Sequence, residues 1–233
     1  IVALLPRKNR LIRPAVSNVD QALVVMAVRT PDPQFYLLDQ YLVTMELQEI
    51  PAAILFTKED LDRGELADYR SRYEAAGYPV FSVSAENGSG LEALRTHLAG
   101  KTTVLAGPSG VGKSTLTNLL CPAANMETGE LSRKNLRGKQ TTRHTELFCL
   151  GENSYLLDTP GFTAVEVWGD TEAFKQAFPE IRALEGQCRF TGCNHGAEPD
   201  CAVKAAVARG EIAASRYESY RKMAEESAER RKY

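Results

Sequence analysis

The chain has 233 residues, 43% of them hydrophobic and 25% charged, the composition of an ordinary globular protein with a core to bury in one large or two modest domains. A formal net charge of −2 excludes a globally basic nucleic-acid binder, so any such contact has to come from a local patch. No apolar run approaches the roughly 20 residues of a membrane span and no signal peptide is recognisable, so the expectation is a cytoplasmic protein with no membrane partner.

Residues 1–14, IVALLPRKNRLIRP, are strand-like and hold Arg7, Lys8, Arg10 and Arg13; they read equally as a solvated edge and as a fragment of a nucleic-acid-binding module. Ile1 is not an initiator methionine, which implies a chain that begins inside a longer protein. Residues 22–28, ALVVMAV, are apolar without a break, as in a parallel strand covered on both faces. Pro31 and Pro33 interrupt the chain, and a helix is expected over 35–50 with Leu38, Tyr41, Leu42, Met45 and Leu47 facing a core. A second buried strand at 52–56 runs into Thr57-Lys58-Glu59-Asp60, a further helix follows, and a third strand at 80–83 ends in Ser84-Ala85. Helix 91–98 then leads to a strand at 102–106. This alternation predicts an α/β fold with a mostly parallel sheet.

Binding sites in such sheets lie at the carboxyl ends of strands, which is where Thr57 to Asp60 falls. A carboxylate held there accepts hydrogen bonds from the N1–H and exocyclic amine of guanine, a donor pair that adenine lacks. Asp60 would therefore select guanine, Lys58 would pack its stem over the base, and Ser84-Ala85 would offer a backbone N–H to the guanine O6. A TKxD string alone is more often only a helix start. Its position in the same sheet as a phosphate loop favours the base-binding reading.

That loop is Gly107-Pro108-Ser109-Gly110-Val111-Gly112-Lys113-Ser114, followed by Thr115, between a strand and a helix at 115–120. Gly107, Gly110 and Gly112 let the backbone aim successive N–H groups at an anion, and the helix N-terminus adds partial positive charge. Lys113 would reach the β- and γ-phosphates and the Ser114 hydroxyl would ligate Mg²⁺. The polar stretch 127–142, with Arg133, Lys134, Arg137 and Lys139, reads as a mobile loop closed by Thr141-Thr142, either of which could complete the Mg²⁺ shell. Strands at 146–150 and 154–157 lead to Asp158-Thr159-Pro160-Gly161, where Asp158 would hold Mg²⁺ through water and the Gly161 N–H would meet the γ-phosphate. As a plain string, DTPG is only a turn.

Three of the five cysteines crowd into 188–201 beside a histidine, as Cys188-x4-Cys193-x-His195-x5-Cys201. Three thiolates and an imidazole are the shell of a structural zinc, with Gly192, Gly196 and Pro199 supplying tight turns. Cys121 and Cys149 sit in apolar strings and are expected in the core.

Together these motifs resemble the signatures of translation-factor GTPases in a rotated order, the base-recognition elements preceding the phosphate loop. RPAVSNVDQ, GPSGVGKST, DTPGF and the Cys/His cluster are similar to the ribosome small-subunit-dependent GTPase A family (RsgA, YjeQ/YloQ type) over nearly the whole chain. The resemblance implies a circularly permuted GTPase domain at 15–165 and a small α-helical zinc domain at 166–233. Residues 1–14 would match only the last strand and exit linker of the family's N-terminal OB-fold barrel. It also implies GTP hydrolysis with Mg²⁺, stimulated by the small ribosomal subunit, in late maturation of that subunit, by a monomer. Because the chain runs from Gly161 straight toward the zinc module, loss of the γ-phosphate could move that module.

Two departures from the family pattern stand out. Thr57 replaces the usual Asn, weakening one contact near guanine N7, and Gln140 replaces a His proposed to assist hydrolysis; Phe162 follows DTPG where Ras-type enzymes have a water-orienting glutamine. Lys113, Gln140, Thr142 and Gly161 are the candidate catalytic set, with Gln140 either orienting water or simply solvated. Ribosomal RNA contacts would come from the 127–142 loop, from Arg189 and Phe190, and from Arg216, Arg221, Arg230, Arg231 and Lys232, unless the last group merely faces water among Glu225, Glu226 and Glu229. Two other classes share these motifs: an ATP-dependent kinase or ATPase, and a nucleotide-switched RNA-binding module with negligible turnover.

Overall fold

A computed structural model describes residues 6–11, 16–124, 145–158 and 167–230. Its frame is a six-stranded sheet in the order β3-β2-β1-β4-β6-β5, built from β1 (Gln21–Ala27), β2 (Ala52–Thr57), β3 (Val80–Val83), β4 (Thr102–Ala106), β5 (Glu146–Gly151) and β6 (Ser154–Asp158). All neighbours are parallel except β5, which returns antiparallel to β6 as a hairpin.

Every residue of β1 is buried, because the strand is central and helices cover both its faces. Its side chains alternate between two cores, as strand geometry requires. Ala22, Val24 and Met26 meet α1 (Phe35–Leu47) and α2 (Leu66–Ala75), whereas Leu23, Val25 and Ala27 meet α3 (Leu91–Leu98) and α4 (Lys113–Leu120). The chain lays β2 and β3 to one side of β1 and then crosses to place β4 on the other. That reversal opens a crevice at the carboxyl ends of β1 and β4, where ligands of open α/β sheets bind.

Helix α1 stops at Leu47 rather than 50, since Glu49 turns left-handed (φ 55°) and redirects the chain toward Pro51. Near the start of the chain, the described residues form one bridge, Arg10 to Ser17, rather than a strand. There Leu11 joins the core and Lys8 pairs with Asp20. The expectation of buried Cys121 and Cys149 is wrong: Cys149 is exposed and Cys121 only half-buried. Both sit at the border of the sheet, Cys149 on the edge strand β5, where an apolar string has just one covered face.

The C-terminal helices α5 (Thr171–Ala177), α6 (Pro179–Arg182), α7 (Ala202–Ala208) and α8 (Ala214–Arg230) share a third core, which also takes Val43 from α1. Arg216 was expected at the surface and is instead fully buried at this seam. Its guanidinium donates to Asp39 Oδ1 of α1 (2.8 Å) and to both carboxylate oxygens of Glu180 (2.7 and 3.1 Å), and lies 4.6 Å from the Phe178 ring centre. Tyr73 of α2 donates to the same Asp39 oxygen. The inward stripe of α8, Arg216, Ser219, Tyr220, Met223 and Ser227, follows helical spacing and carries the arginine in with it. Arg216→Ala would leave two carboxylates buried without their cation, and urea denaturation should show a loss of about 3–5 kcal/mol.

Candidate functional site

The phosphate loop leaves β4 and presses against β1. A Cβ on Gly107 (φ 146°) would lie 2.3 Å from the Val25 carbonyl oxygen, so no other residue fits there. Val111 is buried in the core with Leu116 and Leu156, which pins the loop's centre while Gly110 (φ 80°) and Gly112 (φ 96°) turn the backbone into α4. At the far end of α4 the Arg95 guanidinium donates to the last carbonyls, Leu119 and Leu120, at 2.6 and 3.1 Å, satisfying groups the helix itself cannot. The sequence offers no cue to that cap.

Lys113, first residue of α4, is buried, and its Nζ donates to the carbonyls of Gly107 (2.9 Å) and Pro108 (2.7 Å). Burial pushes its pKa down to about 8, with the nearby Asp158 carboxylate acting in the other direction. Asp158 is itself fully buried at the end of β6, and Ser114 lies half-buried in the first turn of α4. The loop residues 107–115 and Asp158 thus meet at one rim of the sheet. A serine hydroxyl and a carboxylate are hard oxygen donors, the set that suits Mg²⁺.

The base-binding candidates sit on the same rim at the end of β2. Ser84 is fully buried and its hydroxyl donates to Asp60 Oδ1 at 2.6 Å while accepting from the Glu86 N–H at 3.2 Å, which aims an otherwise exposed carboxylate. Lys58 takes a left-handed backbone (φ 57°) and its Nζ donates to the carbonyls of Thr30 and Gly110, the latter at 3.2 Å. The Thr57 hydroxyl lies against the carbonyls of Val111 and Met26. Threonine therefore does what the residue pattern did not suggest: it ties the end of β2 to the phosphate loop. Nothing in the sequence singles out Thr30, because a carbonyl acceptor carries no residue-type signal. Thr141, Thr142, Gln140, Gly161 and the basic residues of 127–142 lie outside the described residues.

Across the molecule, Cys188, Cys193, His195 and Cys201 converge, their ligand atoms all within 4.8 Å of one another. The Cys188–Cys201 sulfurs are 3.9 Å apart, and His195 Nδ1 lies 3.6 and 3.4 Å from them. A tetrahedron with metal–sulfur bonds of about 2.3 Å has edges of about 3.8 Å, so the set fits one zinc ion held structurally. Burial, with the crowding of the other sulfurs, pushes the Cys193 thiol up to about 11, a cost that a divalent cation relieves. The loop is fixed from behind by α8: Tyr217 donates to the His195 carbonyl (2.6 Å) and Tyr220 to that of Asn194 (2.9 Å). Tight turns fall at Gly192, His195 and Asp200, all left-handed. Arg189 pairs with Asp200, and Phe190 is exposed beside it.

The RsgA GTPase family model matches residues 4–168. A protein of Agathobacter rectalis named "Small ribosomal subunit biogenesis GTPase RsgA" is 47% identical over 99% of this chain and 77% of its own length. One of the same name from Caldanaerobacter subterraneus subsp. tengcongensis is 42% identical over 100% and 79%. The crystal structure of YloQ, described as a circularly permuted GTPase, superposes with a TM-score of 0.78 at 36% identity, covering 97% of this chain and 74% of that one. That of YjeQ from Thermotoga maritima superposes at 0.76 with 40% identity, covering 96% and 77%.

Two outcomes follow from these groups. A phosphate group on Lys113 would require its charged form, so nucleotide affinity should be flat below pH 8 and fall as pH rises through it; calorimetry in buffers of different ionisation enthalpy should detect proton uptake on binding above that pH. Chelation should release one zinc per chain and lower the melting temperature by at least about 10 °C, as read by calorimetry together with a zinc-sensitive dye.

Proposed function

This chain belongs to the RsgA GTPase family, and on that premise we propose a Mg²⁺-dependent GTP hydrolase acting in maturation of the small ribosomal subunit. The observation that supports it best is that the β2-end residues, which this reading gives to guanine, and the glycine-rich loop, which it gives to the phosphates, share one rim and are bonded to each other through Thr57 and Lys58.

In this reading Asp60, aimed by Ser84, takes the N1–H and exocyclic amine of guanine. Lys58 lies along the base, and the Ala85 N–H faces O6. Backbone N–H groups of residues 109–115 wrap the phosphates. Lys113 exchanges its carbonyl partners for β- and γ-oxygens, where its charge offsets that developing as the terminal phosphoryl group passes to water. Ser114 and, through water, Asp158 would hold Mg²⁺, which neutralises phosphate charge. Thr142 would complete that shell, the Gly161 N–H would bond the γ-phosphate, and Gln140 would orient the attacking water. The nucleotide unit is assigned to 15–165 and the zinc unit to 166–233, in a monomer working in the cytoplasm. Small-subunit RNA is the assigned partner.

Titrating purified small subunits into the protein should raise GTP turnover by an order of magnitude or more, on the scale that a supplied transition-state contact provides. Turnover that ignores subunits would reject the ribosomal reading, leaving a switch module. ATP that displaced labelled GDP as well as GTP does would reject the role of Asp60.

A further inference from the structure

Trp168 is the single tryptophan of the chain, and 71% of it is open to solvent, more than any other large hydrophobic residue among those described. One exposed aromatic residue is unremarkable by itself. Here the ring is braced. The Arg230 guanidinium lies 5.4 Å from the indole centre and also donates to the Val167 carbonyl at 3.3 Å, while the Ser227 hydroxyl donates to the carbonyl of Gly169. Backbone on both sides of Trp168 is therefore held to α8. Gly169 packs so closely on Phe174 of α5 that a Cβ there would come to 3.0 Å. Glu226, the carboxylate facing Arg230 at 3.6 Å, is shared with Lys222 and the Tyr36 hydroxyl.

We propose that Trp168 and Arg230 form a stacking platform for an unpaired nucleobase of RNA. This rests on the reading of the chain as a small-subunit GTPase, and it names one place where the RNA is gripped. A rigid aromatic face accepts any base, and a guanidinium beside it meets the adjoining phosphate. A protein partner would call for contiguous apolar surface. Among the described residues beside it, Val167 is buried and Gly169 offers no side chain, so the indole there is accompanied by a cation rather than by apolar surface.

A single tryptophan allows a site-specific probe. The chain is produced with 5-hydroxytryptophan, which is excited to the red of the tryptophans in ribosomal proteins, and titrated with purified small subunits. Base stacking should quench most of its emission and shield it from acrylamide. Trp168→Ala should weaken co-sedimentation with subunits by about tenfold, with GTP affinity unchanged, and Trp168→Tyr should restore most of the loss. Subunits that bind while the probe stays bright and accessible would overturn the platform. Shielding without quenching would indicate a protein contact and overturn it equally. Absence of any subunit binding would instead sink the ribosomal reading on which the platform stands.

Discussion

A guanidinium without access to water holds the two ends of this molecule together. Arg216 arrives on the last helix, Asp39 on the first and Glu180 between them, and the three meet in a pocket walled by Tyr73, Tyr78 and Phe178. Burying such a cluster is expensive, and it holds only while every member is present. Its value here is registry: apolar packing alone would let α8 slide on α1, whereas a bidentate arginine between two fixed carboxylates admits one arrangement.

That arrangement determines what the zinc loop can feel. Helix α1 has one face on the sheet and another, through Val43, in the C-terminal core, and it begins just after the segment whose Thr30 carbonyl receives Lys58. Helix α1 thus links the C-terminal helices to the segment that receives Lys58. Any displacement of the zinc module on loss of the γ-phosphate has to carry α1 with it or break the buried ion cluster. The tyrosines of α8 that donate to the loop carbonyls make the metal site and the helix a single piece.

Within the site the same economy recurs. Thr57, Lys58 and Ser84 each serve as scaffolding as well as lining: the first two bond the phosphate loop and the third steers Asp60. A buried hydroxyl in the position of an amide side chain is sufficient for the bond to the loop, because the acceptor is a backbone carbonyl that any short donor can reach.

Local spelling determined a good deal. The phosphate loop, the strand–helix alternation and the Cys/His spacing were legible because each is a backbone or ligand requirement satisfied within a few residues, and the placement of Gly107 and of the four cluster ligands followed. Long-range pairing was not legible. Arg216 looked like one more surface charge on a polar helix, since its partners stand 177 and 36 residues away and an arginine is buried only where tertiary structure brings carboxylates to it. Cys149 looked buried because apolarity reads the same on a central strand and on an edge strand. Which strands lie at the border, which hydroxyl steers which carboxylate, and which cation leaves the solvent are decided by the packing of whole elements, and no window of sequence contains that packing.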